Sequence, residues 1–313
     1  MELFGAKLQY EAGMKYYKGS GQGYTKNRSK AFRLFKEAAE AGLDEAMLQL
    51  SKMYALGEGC AKDHKESLKW LERAANNKGN IEAQYILGMH YINARESILG
   101  CEWLEKAAKL GHVQAMLDLG ECYLNSLSYY DKAIYWLSQP VLSNHPTALY
   151  WLAEAYKRKE INEIKMFDDE FYDRLDDEYI LDFDACQKKY ENKVKDYQPS
   201  PKINKIYKKA LQLFEEKVSF GDWKSVLTVA YMYLHGQGTE INYTKAFNYL
   251  YSLANQPKSD YKSKNNEHYR ERALIELAKM YELGLGCEQN IDKCNEIINE
   301  LSIDKEWFSS MKL

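Results

Sequence analysis

Proline is scarce, with five in 313 residues, so little in the chain interrupts helices, which proline breaks by removing an N–H and clashing with the preceding turn. No apolar run approaches the ~20 residues that a membrane span needs. The opening residues Met1–Leu8 lack a basic start, an apolar core and a small-residue cleavage site, so no secretory leader is read and a cytoplasmic location is expected. The net charge of −3 gives no global attraction to nucleic acid, and no basic patch is interleaved with aromatics. The expected partners are therefore neither nucleic acid nor membrane. The six cysteines, Cys60, Cys101, Cys122, Cys186, Cys287 and Cys294, have no close metal-like spacing. They are expected to be reduced, structural thiols.

Catalytic signatures are missing too. The histidines are scattered, with no His-x-x-x-His pair, and there is no Gly-x-Ser-x-Gly elbow. Gly19-Ser-Gly-Gln-Gly23 lacks the Gly-Lys-Ser/Thr ending of a phosphate loop and follows a helix rather than a strand. No enzyme activity, no metal and no cofactor are expected.

What the chain does have is one phrase repeated. Its fullest copies run Ala46-Met-Leu-Gln-Leu50-Ser-Lys-Met-Tyr54-Ala-Leu-Gly57-Glu-Gly59 and Ala273-Leu-Ile-Glu-Leu277-Ala-Lys-Met-Tyr281-Glu-Leu-Gly284-Leu-Gly286. Alignment on the tyrosine gives seven copies, at Tyr16, Tyr54, Tyr91, Tyr123, Tyr156, Tyr233 and Tyr281. Ala, Leu and Tyr at i, i+4 and i+8 form one stripe of a helix. An apolar residue and then a small one precede the tyrosine, as in Leu87-Gly88 and Leu277-Ala278, and the small residue admits a neighbouring helix. The Gly pair ends the helix, its first member serving as a left-handed cap. A second amphipathic run follows, clearest at Trp70-Leu71 with Ala74-Ala75 and at Trp103-Leu104 with Ala107-Ala108. Asp63 and Asp131 are read as its N-caps. The 26 tyrosines are expected to fill the space between layers, each hydroxyl reaching solvent or a carbonyl.

These residues resemble the Sel1-like repeat (SLR) family, a relative of the tetratricopeptide family. The resemblance implies an all-α, right-handed superhelical solenoid of about seven α-α hairpins used as an adaptor or scaffold, with no catalytic residues. The family is common in bacterial signalling, secretion and effector systems and also occurs in eukaryotic quality-control complexes. The repeats are read as 6–42, 46–79, 83–111, 115–145, 148–222, 225–256 and 273–301 in one solenoid, with a C-terminal cap over 302–313. Repeat five carries an insertion over 163–197, whose apolar spacings of three and four predict a helical hairpin: an overrun to about Leu175, a reversal near Asp176–Asp184, a return to Tyr197 and a break at Pro199 and Pro201. A second insertion, Pro257–His268, is polar and reads as a mobile loop.

Two surfaces are candidates for binding a protein or peptide. The position two before each tyrosine holds Met14, Lys52, Met89, Glu121, Glu154, Tyr231 and Lys279. These differ among copies whose packing positions agree, and by analogy with the tetratricopeptide family the position faces a concave groove. Tyr17, just after Tyr16, joins the set. Six before the tyrosine the residues are uniformly apolar, as at Tyr10, Leu48 and Tyr85, which fits core between layers or groove lining. The second surface is the acidic part of the insertion, including Asp168, Asp169, Asp173 and Asp177; it reads either as a solvated spur or as a docking element for a basic partner. The function expected is a non-catalytic adaptor that holds a partner in its groove. Alternatives are an immunity protein neutralising a cognate toxin, a secreted effector bound to a host protein, or an enzyme with a site assembled across repeats.

Overall fold

The apolar stripes read above become paired helices, and among the described residues there are no strands. The computed structural model describes residues 2–20, 23, 25–77, 80–172, 197–219, 221–256 and 264–310. The chain is a helical-repeat solenoid whose packing divides into two units, Met1–Trp136 and Leu137–Leu313.

The first unit holds α1 (Glu2–Lys18), α2 (Arg28–Glu40), α3 (Asp44–Leu56), α4 (His64–Asn76), α5 (Ile81–Asn93), α6 (Ser97–Lys109) and α7 (Val113–Asn125), with α8 (Tyr130–Leu137) reaching its boundary. From α1 to α7 each helix packs on the next. The second unit holds a 3-10 turn (Pro140–Leu142), α9 (Pro146–Tyr172), α10 (Pro201–Val218), α11 (Trp223–Leu234), α12 (Tyr243–Ala254), α13 (Lys264–Leu283), α14 (Ile291–Glu300) and α15 (Lys305–Ser310). There α9 through α14 also pack in succession. The stripe residues Leu50 and Leu87 are fully buried, each such side chain contributing roughly 1.5–3 kcal/mol. Of the two tryptophans that mark the second helices most clearly, Trp70 is buried and Trp103 only half-buried.

The Gly-x-Gly pair has two separate jobs. Gly57 caps α3 in the left-handed region at φ 72°, its N–H donating to the Met53 carbonyl. Gly59 instead touches the preceding repeat: a Cβ there would lie 2.3 Å from the Arg28 carbonyl oxygen at the start of α2. Gly286 meets the Tyr243 carbonyl oxygen at the start of α12 in the same way, also at 2.3 Å. The second glycine is therefore an inter-repeat contact, which capping alone does not explain. The small residue behaves as expected, since a Cβ on Gly88 would sit 2.8 Å from Leu104 Cγ.

The repeat tyrosine also differs from expectation. In three copies, Tyr91, Tyr123 and Tyr233, its hydroxyl donates to a glutamate on the preceding repeat's second helix, rather than to a carbonyl. Tyr91 donates to Glu72 at 3.2 Å and Tyr233 to Glu215 at 2.7 Å. In these copies the glutamate after Trp-Leu, or after Leu-Phe at Glu215, is thus a latch between layers.

Asp63 caps α4, accepting from the N–H groups of Lys65 and Glu66. Asp131 is not a cap, because α8 starts one residue earlier, at Tyr130. In repeat five, α9 overruns to Tyr172, and α10 opens with Pro201 in its first turn. The Tyr197 hydroxyl donates to Glu160 on α9. The reversal expected near Asp176–Asp184 lies outside the described residues. In the second insertion, Lys264–His268 is helical rather than loop, since α13 begins at Lys264. Phe308 of α15 is buried against Ala278, Tyr281, Cys294 and Ile298.

Candidate functional site

In the first unit, the first helices of successive repeats are α1, α3, α5 and α7. Between α1, α3 and α5 lies a hollow of about 550 Å³. Tyr10, Leu48 and Ile81 give it apolar walls, Lys52 supplies a cation, and Asp44, Glu45 and Glu82 make an acidic rim. The acids stand there because they occupy the first turns of α3 and α5, where a carboxylate is favoured by the helix dipole. Tyr10 ionises less readily than an ordinary tyrosine, first through burial and then through the Glu45 charge. One layer on, the Tyr85 hydroxyl of α5 donates to Asp118 of α7 at 3.0 Å, and its ring stacks on His112 at 4.4 Å. Burial, followed by the Asp118 charge, pushes the Tyr85 phenol up to about 12. Position six before the tyrosine is half-buried in Tyr10, Leu48 and Tyr85 and buried in Leu117, and Tyr10 and Leu48 line the hollow while also packing on the core.

The variable positions divide by environment. Lys52 is exposed, while Met14, Tyr17, Met89, Glu121 and Tyr231 are half-buried. Tyr17 donates to Glu58 at 2.7 Å and carries the Arg28 guanidinium 3.4 Å above its ring. Tyr231 donates to Glu276 at 2.8 Å and stacks on His235.

Glu154 and Lys279 do not join this surface. Glu154 is only 8% exposed: it accepts from the buried Tyr207 hydroxyl and from Gln237 Nε2 at 2.9 Å, with Lys157 and Arg158 at 3.9 and 3.8 Å. Lys279 is 5% exposed, bonded to Glu282 at 3.0 Å and held 4.2 Å from the centre of the Phe308 ring. Both side chains hold the second unit together. In the acidic insertion, Asp168 and Asp169 lie on the backbone of α9, and Asp173 and Asp177 lie outside the described residues.

The sequence reading missed the acidic rim. Its signal was present in Asp44-Glu45 and Glu82, each just inside a helix start. It also missed a cysteine pair 21 residues apart: Cys101 Sγ of α6 donates to Cys122 Sγ of α7 at 2.6 Å. Cys186 lies outside the described residues. Among the described residues, no group of three or more His, Cys, Asp or Glu side chains is placed to hold a metal ion, and no helix is long and apolar enough to cross a membrane.

A family model described as the Sel1 repeat matches residues 6–43, 44–78, 81–112, 113–139, 138–159, 229–257 and 272–296. Its fifth match ends at residue 159, whereas the structure completes that hairpin with α10, beyond the insertion. Chitin synthase regulatory factor 3 of Schizosaccharomyces pombe is 27% identical over 150 residues, 44% of this chain and 16% of that protein. Chitin synthase regulator SKT5 of Saccharomyces cerevisiae is 35% identical over 63 residues, 20% of this chain and 9% of that protein. The match thus spans only a small part of either relative's length. Among solved structures, a Sel1 repeat protein from Oxalobacter formigenes has a TM-score of 0.41 and 19% identity, covering 96% of this chain and 86% of that one.

Proposed function

Because the chain belongs to the Sel1 repeat family, we propose that it is a non-catalytic scaffold that binds another protein on the first-helix face of its first unit. The hollow between α1, α3 and α5 carries this reading. Its apolar walls and acidic rim suit a segment that inserts one apolar side chain beside a lysine or arginine. Met14, Lys52, Met89 and Glu121 continue the face along α1, α3, α5 and α7, and they vary where the packing stripe does not. Anchors of this kind supply most of the energy of peptide and helix recognition. The two yeast relatives are named as regulators of chitin synthase, and each matches this chain over a limited stretch. That supports action by binding as the mode and leaves the client of this chain a separate matter. The acidic insertion is proposed as an additional contact.

The test is site-specific photo-crosslinking in the native host. A photoreactive phenylalanine analogue at Lys52, Met89 or Glu121 is expected to capture one common protein. The same analogue at Lys69 or Lys106, exposed on second helices, is expected not to. Capture of the same protein only from Lys69 and Lys106 would overturn the proposal.

A further inference from the structure

The α6–α7 junction carries a feature that binding does not use. Cys101 and Cys122 are both buried, and neither is in a disulfide. Their sulfurs stand 2.6 Å apart across the boundary between repeats three and four. Alignment of the copies shows how unusual the pair is. Where Cys101 stands, the other second helices of this unit carry Phe32, Leu68 and Ile134. Where Cys122 stands, the other first helices carry Lys15, Met53, His90, Ala155, Met232 and Met280. Met53 packs in its layer with Ala31, Phe35 and Phe32. At this junction alone both positions hold thiols, and the two sulfurs touch. Filling the core would be served better by the larger residues, because packed interiors lose stability with each missing methylene.

We infer that Cys101 and Cys122 form an oxidisable dithiol, a site at which a hydroperoxide converts the two thiols into one disulfide linking α6 to α7. Cys122 is the attacking sulfur. It is the more exposed of the two, at 6% against 2%, and as the acceptor of the Cys101 S–H its thiol ionises more readily than usual, with a smaller contribution from Ser126. Its thiolate attacks one oxygen of hydrogen peroxide. An S–O bond forms, the O–O bond breaks, and the departing hydroxide takes up the proton released by Cys122 as water. Cys101 then attacks the Cys122 sulfur. The S–S bond forms, the S–O bond breaks, and the Cys101 proton leaves with that hydroxide as a second water. The two sulfurs lose two electrons in total and the peroxide gains them. The product ties the second helix of repeat three to the first helix of repeat four, next to Glu121 on the first-helix face.

The experiment uses the full, fully reduced chain treated with a small excess of hydrogen peroxide and then alkylated while unfolded. Titratable thiols are expected to fall from six to four, and non-reducing peptide mass spectrometry is expected to find Cys101 joined to Cys122. The linked form should melt at a higher temperature than the reduced form and return to it with dithiothreitol. Cys122→Ser and Cys101→Ser should each abolish the link. Six thiols remaining after treatment, a link between other cysteines, or Cys122 recovered as a sulfinate without a link would each overturn the inference. The wild-type measurement decides the matter even if a serine variant fails to fold.

Discussion

At its two extremes the residue two before the repeat tyrosine has opposite fates in the two units, with Met14, Met89, Glu121 and Tyr231 half-buried between them. In the first, Lys52 stands exposed at the edge of the hollow. In the second, Glu154 and Lys279 are buried in the same register and engaged by internal partners. Variation among repeat copies therefore shows that the common packing does not dictate a position; it does not show that the position is exposed. The difference comes from neighbours that local pattern does not encode. Tyr207 reaches Glu154 from 53 residues away, across the insertion, and Gln237 from 83 residues away, out of a Gly-x-Gly loop. In the first unit the corresponding loop residue, Glu58, turns instead to Tyr17 and Arg28.

The comparison can be tested by substitution, beginning with the shared core as the reference. Trp70→Ala empties a buried site between helices, and thermal unfolding should show a loss of about 3–5 kcal/mol. Trp103→Ala should cost clearly less, because Trp103 is half-buried.

Glu154→Leu should come next. It leaves the buried Tyr207 hydroxyl and the Gln237 amide without their acceptor, at about 1–3 kcal/mol for each group. The parallel change Lys52→Leu should leave denaturant unfolding almost unaltered. Equal losses in the two variants would remove the distinction between the units.

Within the Gly-x-Gly loop, Gly59→Ala should cost about 1–3 kcal/mol, since its Cβ would collide with the backbone of α2. Gly57→Ala, which strains a cap but approaches nothing nearer than Lys62 Cβ at 3.2 Å, should cost about 1 kcal/mol. A larger loss at Gly57 would mean that capping outweighs the inter-repeat contact.

The smallest effects on stability belong to the proposed docking face. Lys52→Glu, at an exposed side chain, should shift stability by no more than about 0.5 kcal/mol, and Glu121→Lys, at a half-buried one, by more than that but less than the loss at Glu154. A drop of several kcal/mol would place those side chains in the structural core, as Glu154 is.

Much of this fold was legible because it is written locally. The Ala-Leu-Tyr stripe, the capping glycine and the small residue before the tyrosine all act within one hairpin, and the structure places each where its chemistry requires. Relations between repeats were less legible. The second glycine against α2, the Tyr91–Glu72 latch and the Cys101–Cys122 pair each join residues on different hairpins. The sequence shows such residues but not their partners. The candidate site was legible in its cationic and variable members, while its acidic rim looked like ordinary helix starts.

The central claim, that the first-helix face of the first unit is the binding surface, is tested most directly by measuring the dissociation constant of the crosslinked partner. Two variants should be compared with wild type: Lys52→Glu combined with Glu121→Lys, and Lys69→Glu combined with Lys106→Glu on the second helices. The account predicts that the first weakens binding at least about tenfold, a loss of ~1.4 kcal/mol, while remaining folded at the temperature of the measurement, and that the second binds as wild type does. Wild-type affinity in the first variant together with lost affinity in the second would contradict it.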